Sequence, residues 1–307
     1  MRFPFAALLA LAFLYTPVAR ADGWFGGRTT LGYGRLFDND QLGDGMDRWR
    51  SGAYAVSVIR GKSWDGALPT TPGELLEYRF RAEIIAPRYL NGPGSDDRPY
   101  VGALSFGVHT HFQAAGQEVA LGADVVAIGP QTGLGDFQTA LHKALSMPTP
   151  RVLDTQLGNQ VQLGATLEVG HNFRLNDRLT VRPFFEAQAG VENLFRLGTD
   201  VIIGAVGQTD MLVRDVPTGQ FYRAVEGQPN GFGYVLGADF ASVGRSIYYP
   251  ADRGITPEST RYRVRAGLHW QIAEKVSFFY GATYLSPEFV GQPEGQVVGS
   301  LKLNFNF

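Results

Sequence analysis

The 307-residue chain contains no cysteine. Disulfide staples, thiol catalysis and Cys-ligated metal sites are therefore excluded, even in an oxidising compartment. Basic excess is missing as well: 27 Lys and Arg stand against 29 Asp and Glu, which gives no footing for nucleic-acid binding. Beyond the first segment no uninterrupted apolar run reaches the roughly 20 residues that a membrane-crossing helix needs, so a helical membrane protein is excluded. The sequence also lacks a G-x-S-x-G elbow, an H-E-x-x-H pair and a glycine-rich phosphate loop. Any enzyme site must be assembled across loops.

What the chain does have is 39 Gly, 21 Phe and 13 Tyr. Arg2 heads an apolar run from Phe3 to Tyr15, closed by Ala19-Arg20-Ala21. This reads as a cleaved secretory signal over residues 1–21, leaving one domain over 22–307. Loss of Arg2 and Arg20 leaves 25 basic against 29 acidic residues, a net charge of −4. A soluble periplasmic β protein and an outer-membrane barrel both fit this composition, and the carboxyl end separates them. Ser300-Leu301-Lys302-Leu303-Asn304-Phe305-Asn306-Phe307 alternates polar and apolar and stops on an aromatic residue, as a lipid-facing last strand does. It also resembles the assembly signal of bacterial outer-membrane proteins. The expected fold is all-β, a transmembrane antiparallel β-barrel in the bacterial outer membrane.

Period-two segments bounded by Gly, Pro, Asn and Asp lie at about 29–37, 53–60, 74–86, 101–112, 118–128, 161–173, 178–190, 194–205, 231–247, 260–272, 275–285 and 296–307. They make about twelve strands, an even number as single-chain barrels require. On the fourth, Leu104, Phe106, Val108 and Phe112 share the expected lipid face, while Ser105, His109 and His111 face the lumen. With both termini periplasmic, the connection after each odd strand lies outside. The inward connections 61–73 and 206–230 are longer than this topology favours, and nothing in the sequence explains the second.

Between the fifth and sixth strands the β rhythm breaks. Leu134, Phe137, Leu141 and Leu145 recur at helical spacing and Pro148 and Pro150 follow, so a short amphipathic helix is expected in an external loop. A loop of this length is more often functional than filler. The first external connection gathers Asp38-Asn39-Asp40 and Gly43-Asp44-Gly45-Met46-Asp47-Arg48-Trp49-Arg50-Ser51. Carboxylates, an amide and a hydroxyl at a strand tip supply the hard oxygens that Ca²⁺ takes. On composition alone a plain polar turn is the heavier alternative.

Asn39-Asp40 followed by Asp47-Arg48-Trp49-Arg50-Ser51 resembles the N-D … D-R-x-x-T/S signature of the outer-membrane lipid A 3′-O-deacylase family. Three further blocks match in order: Asp97-Arg98-Pro99-Tyr100-Val101-Gly102, Ile128-Gly129-Pro130 leading into Phe137-Gln138-Thr139-Ala140-Leu141-His142, and Asp154-Thr155-Gln156-Leu157-Gly158-Asn159. The resemblance covers about residues 29–160. It implies a twelve-stranded barrel and Ca²⁺-dependent hydrolysis of the 3′ acyloxyacyl ester of lipid A in the outer leaflet. Carried over by position, it makes His142 the catalytic base, with Gln138, Asn39 and Ser51 beside it and Asp40, Ser51 and Asp47 toward the metal. All fall on external connections.

The chain departs from the family pattern after the histidine, where some members carry a glutamate and this one has Ser146-Met147-Pro148. Asp44, Asp47 or Asp154 are the acids available to take its place. A near-neutral histidine can deprotonate water while Ca²⁺ polarises the ester carbonyl. Ser51 as nucleophile would need to lie within hydrogen-bond reach of His142. Arg98 is the expected contact to lipid A phosphate, with Arg48 and Arg50 as headgroup-level arginines. His109 and His111 read as a lumen-lining pair, and His171 and His269 as structural. The partners expected are lipid A or lipopolysaccharide and the membrane, without nucleic acid, and a monomer. The competing functions are a non-enzymatic barrel with a decayed site, such as a narrow channel, and an outer-membrane phospholipase using Ser51.

Overall fold

A computed structural model describes residues 27–92, 97–227, 231–273 and 276–305. The expected signal over 1–21 and the terminal Phe307 lie outside the described residues. The strands are β1 (Thr29–Asn39), β2 (Trp49–Gly61), β3 (Leu76–Ala86), β4 (Val101–Ala114), β5 (Gln117–Ile128), β6 (Gln160–Gly170), β7 (Phe173–Asn176), β8 (Leu179–Ala189), β9 (Glu192–Gly204), β10 (Met211–Arg214), β11 (Phe221–Val225), β12 (Gly231–Ser246), β13 (Thr260–Ala273), β14 (Val276–Leu285) and β15 (Gln296–Phe305). Twelve of them close into an antiparallel ring in chain order; β7, β10 and β11 stand outside it. β6 pairs with β8, and β1 closes on β15 through Phe37, Asp38 and Asn39 against Leu301, Ser300 and Gly299.

Alternation explains the ring. Phe106 and Val108 on β4 are 54% and 40% exposed, while Ser105, His109 and His111 are buried. Phe195, Leu197, Phe240, Val264 and Leu163 continue the outward apolar band, a surface that only acyl chains cover stably. The sixth expected segment differs. It ends at Gly170, and Phe173–Asn176 forms a separate short strand paired with β8, because the chain turns at His171-Asn172.

Inside, the barrel is filled. The unexplained segment 206–230 contains the β10–β11 hairpin, which enters the lumen from the periplasmic end. Its Tyr222 hydroxyl lies 2.8 Å from Ser57 on β2, and Gln220 reaches Thr283 on β14 at 3.0 Å. A Cβ on Gly32 of β1 would lie 2.3 Å from the Ala224 carbonyl, so only glycine admits the plug at that point. Met211, Val213, Tyr222 and Ala224 pack with Leu36, Ile59 and Phe279 of the wall. The other long inward loop braces it: Trp64 Nε1 donates to the Thr209 carbonyl at 2.8 Å. A polar cavity of about 260 Å³ remains beside the plug, lined by His109, His111, Arg182, Glu168 and Arg214 among others. His109 and His111 face the lumen, bonded to Asp124 (3.3 Å) and Glu77 (2.8 Å).

At the opposite end a second apolar cluster shuts the lumen, with Trp49, Val101, Ile128, Tyr248, Tyr249 and Phe289 drawn from strand tips and external loops. The only helical turn of length in the described residues, α1 (Leu134–Ala144), lies in the β5–β6 connection as expected.

Candidate active site

The β1–β2 connection is tied before any catalytic group is considered. Asn39 Oδ1 accepts the Gln41 amide at 2.9 Å, capping a 3₁₀ turn over Asp40–Leu42, and its Nδ2 donates to the Ser51 carbonyl at 2.9 Å. Asp40 is fully buried, and its Oδ2 accepts the Arg48 amide at 2.7 Å. Its Oδ1 has no hydrogen-bond partner. Burial pushes this carboxyl up to about 9, and the nearby Asp47 and Asp44 charges add to the push. Trp49 holds φ of 50°, left-handed for a bulky buried residue; such strain is stored where surrounding structure over-determines it.

Helix α1 carries the other half. Its apolar stripe of Leu134, Phe137, Leu141 and Leu145 is not the buried face: Gly135, Gln138 and His142 are. Phe137 is 42% exposed. Phe137 is the open member, a position that lipid can cover at a membrane boundary, whereas Leu134, Leu141 and Leu145 are half-buried and Leu134 packs toward Gly102 of β4. Gly102 on β4 permits the approach, since a Cβ there would lie 2.7 Å from Thr132 Oγ1.

His142 Nδ1 lies 2.6 Å from the Pro148 carbonyl, an acceptor, so the ring donates there and leaves Nε2 as the basic nitrogen. Nε2 is 3.3 Å from Asp47 Oδ2. The other oxygen of Asp47 accepts the Ser51 hydroxyl at 2.6 Å. Ser51, Asp47, His142 and Pro148 thus form one chain of contacts across two loops. Ser146, with φ of 57°, turns the backbone after the helix so that Pro148 can reach back. The segment that departs from the family pattern supplies a carbonyl where an acid was expected. Gln138, one turn before His142, is buried with Oε1 unpartnered.

Other expectations fall elsewhere. Arg98 is wholly buried, donates to Glu288 Oε2 at 2.6 Å and lies over the Tyr249 ring at 4.8 Å. In this arrangement it faces an internal carboxylate rather than the headgroup region, because the β14–β15 loop folds over it. Arg50 joins the same network through Glu288 and Glu83. Asp44 turns to Arg48 (3.4 Å), and Asp154 is exposed on its own 3₁₀ turn. His171 bonds the Gly116 carbonyl, and His269 packs on Phe279 at 4.4 Å.

Sequence reasoning missed Gln296 and Glu288. Gln296 donates to the Arg48 carbonyl at 2.7 Å and accepts the Arg50 amide at 3.0 Å, holding the strand that presents Ser51. Only barrel closure brings the start of β15 to that point, and no local motif announces it.

The model of the outer membrane protein LpxR family matches residues 5–307. The chain belongs to the LpxR family. It is therefore an outer-membrane protein, and the barrel agrees: LpxR from Salmonella typhimurium superposes with a TM-score of 0.73 at 16% identity, over 90% of this chain and 100% of that one. The NanC porin (TM-score 0.42, 8% identity, 90% and 100% covered) and the β domain of the Bordetella autotransporter BrkA (0.45, 11%, 92% and 100%) share barrel architecture more loosely. A search of curated protein sequences returned no match.

Among the described residues no group of three or more His, Asp or Glu side chains forms a ready metal cage. The donors present still fit a hard cation that keeps much of its shell as water and backbone oxygen. The unpartnered buried Oδ1 of Asp40 is the observation that carries this, since a buried carboxylate oxygen without a donor is costly. Asp47, whose charge acts on Asp40, and Ser51, whose hydroxyl bonds Asp47, would add to it.

Proposed function

We propose that this LpxR-family protein is a Ca²⁺-dependent hydrolase that removes the 3′-linked acyloxyacyl chain of lipid A in the outer leaflet, with His142 as general base. The orientation of His142 is the observation that supports this most. With Nδ1 engaged by Pro148, Nε2 is the ring nitrogen left to take a proton from water. Asp47 Oδ2 lies 3.3 Å from the same nitrogen. Gln138, on the same buried helix face one turn earlier, has an unpartnered Oε1 that would accept a hydrogen bond from the attacking water. Asp40 and Ser51, with Asp47, would hold the Ca²⁺, which when bound supplies a positive charge for the ester oxyanion.

A serine-nucleophile phospholipase is the weaker reading, because the Ser51 hydroxyl donates to Asp47. A channel is weaker still, since the plug and the outer apolar cluster fill the lumen at both ends. Lipid A from cells with and without the protein, compared by mass spectrometry, tests the function. Loss of one acyloxyacyl unit is expected, abolished by chelator and restored by Ca²⁺. Unchanged lipid A in cells with folded, inserted protein would overturn it, and chelator-resistant release would remove the metal from the reading.

A further inference from the structure

Beside the site, at its solvent side, two arginines converge on one carboxylate. Arg48 Nη1 donates to Glu294 Oε1 at 2.6 Å, and Arg88 Nη2 lies 3.5 Å from the same oxygen. The three side chains come from three external connections: β1–β2, β3–β4 and β14–β15. Glu294 is half exposed, with 51% of its side chain open, and Arg88 is 35% open. Arg48, by contrast, is 95% buried with its Nε lacking any partner. It follows Asp47 directly in sequence, and its amide holds Asp40. A group bound here is therefore one residue from the acid that contacts His142.

The arrangement is under-filled. Arg48 Nη2 also lies 3.4 Å from Asp44 Oδ2, yet the two guanidinium forks together offer more donors than these two carboxylates use, and Arg48 Nε is buried without an acceptor. A phosphate monoester brings three acceptor oxygens and close to two negative charges, and matches guanidinium geometry better than one carboxylate. The Arg88–Glu294 pair is open to solvent on both sides, and such pairs hold weakly, so Glu294 can exchange with another anion. Arg98, buried against Glu288, has no such opening.

We propose that Arg48 and Arg88 form a subsite for a phosphate monoester on the glycolipid substrate, and that Glu294 occupies it as an internal competitor until substrate displaces it. The substrate part of this inference rests on the lipid A reading above; the anion subsite itself does not. Glu294 then sets affinity rather than chemistry, and its loop moves off the mouth when phosphorylated lipid docks.

The test uses the full-length protein in detergent micelles with lipid A and with the same lipid enzymatically stripped of phosphate. Arg88→Gln should raise KM about fivefold on the phosphorylated substrate, the scale of one exposed charge pair, and leave KM on the stripped substrate unaltered. Glu294→Gln should lower KM on the phosphorylated substrate alone. Inorganic phosphate should inhibit competitively, and more strongly in Glu294→Gln. Equal KM changes on both lipids would overturn the subsite, leaving Arg88 a structural brace. If the protein releases no acyl chain from either lipid, the hydrolase reading fails instead. Calorimetric titration with inorganic phosphate then decides the subsite: binding strengthened in Glu294→Gln and lost in Arg88→Gln supports it, and no difference between them overturns it.

Discussion

Inside the lumen Asp200 meets Arg214 at 2.8 Å and Arg265 at 3.1 Å, and Asp239 meets Arg263 at 3.0 Å with Arg196 and Arg265 alongside. At the outer mouth Asp40 is equally buried yet finds only a backbone amide and the Gln296 side chain. Asp47 finds a hydroxyl and a histidine. Both regions bury carboxylates, but Asp200 and Asp239 have the cations that make burial tolerable, as Glu288 does at the mouth, and Asp40 has none. The inner half is closed electrostatically and serves stability. Around Asp40 and Asp47 the cations are turned elsewhere, Arg48 to Glu294 and Arg50 to Glu288, and a pocket short of positive charge is one that a metal, a proton or a substrate can complete.

The sharpest break in that contrast is His142→Ala. Removing the proposed base should lower acyl release by about 10²–10⁴-fold, while the barrel still inserts, because α1 lies on the rim and takes no part in strand pairing. The measurement is initial rate of 3′ acyloxyacyl release by folded, heat-modifiable protein. A normal rate would overturn the mechanism.

Asp200→Ala reverses the pattern. It leaves Arg265 and Arg214 buried without their shared acceptor, which should cost about 3–5 kcal/mol of stability. Urea unfolding of the micelle-folded protein reads this, and the folded fraction should keep its specific activity. A loss of activity without a loss of stability would mean that the lumen network reaches the site, and the division into two regions would fall.

The same contrast marks what the sequence could convey. Strand positions were legible because each outward residue must be apolar and each inward one need not be, a constraint written locally, as on Phe106, Val108 and His109. The rim helix was legible for the same reason, although periodicity could not tell that the buried face is that of Gln138 and His142 while Phe137 is left exposed. Asn39, Asp40, Ser51 and His142 came through motif resemblance, and the structure brings them to one mouth. The plug hairpin was not legible: its Tyr222 and Gln220 answer to Ser57 and Thr283, partners far away in sequence. Arg98 was misplaced for the same cause, since Glu288 lies 190 residues on.

The smallest expected effect separates two chemistries at one residue. Ser51 donates to Asp47, so in the histidine-base mechanism Ser51→Ala loses one hydrogen bond to a charged acceptor and one of the oxygens proposed for the metal. That is worth about 1–2 kcal/mol, roughly tenfold in rate. Ser51→Thr keeps the hydroxyl on the same carbon and should restore most of the activity, because the oxygen's position, not its nucleophilicity, is what the reaction uses. A nucleophilic role demands otherwise: Ser51→Ala would then match the defect of His142→Ala, and an acyl-enzyme would accumulate in a rapid-quench burst. A tenfold loss with threonine rescue and no burst keeps the pocket around Asp40 and Asp47 as a site for water and a cation. A loss equal to that of His142→Ala would make Asp47 the orienting acid of a covalent triad instead.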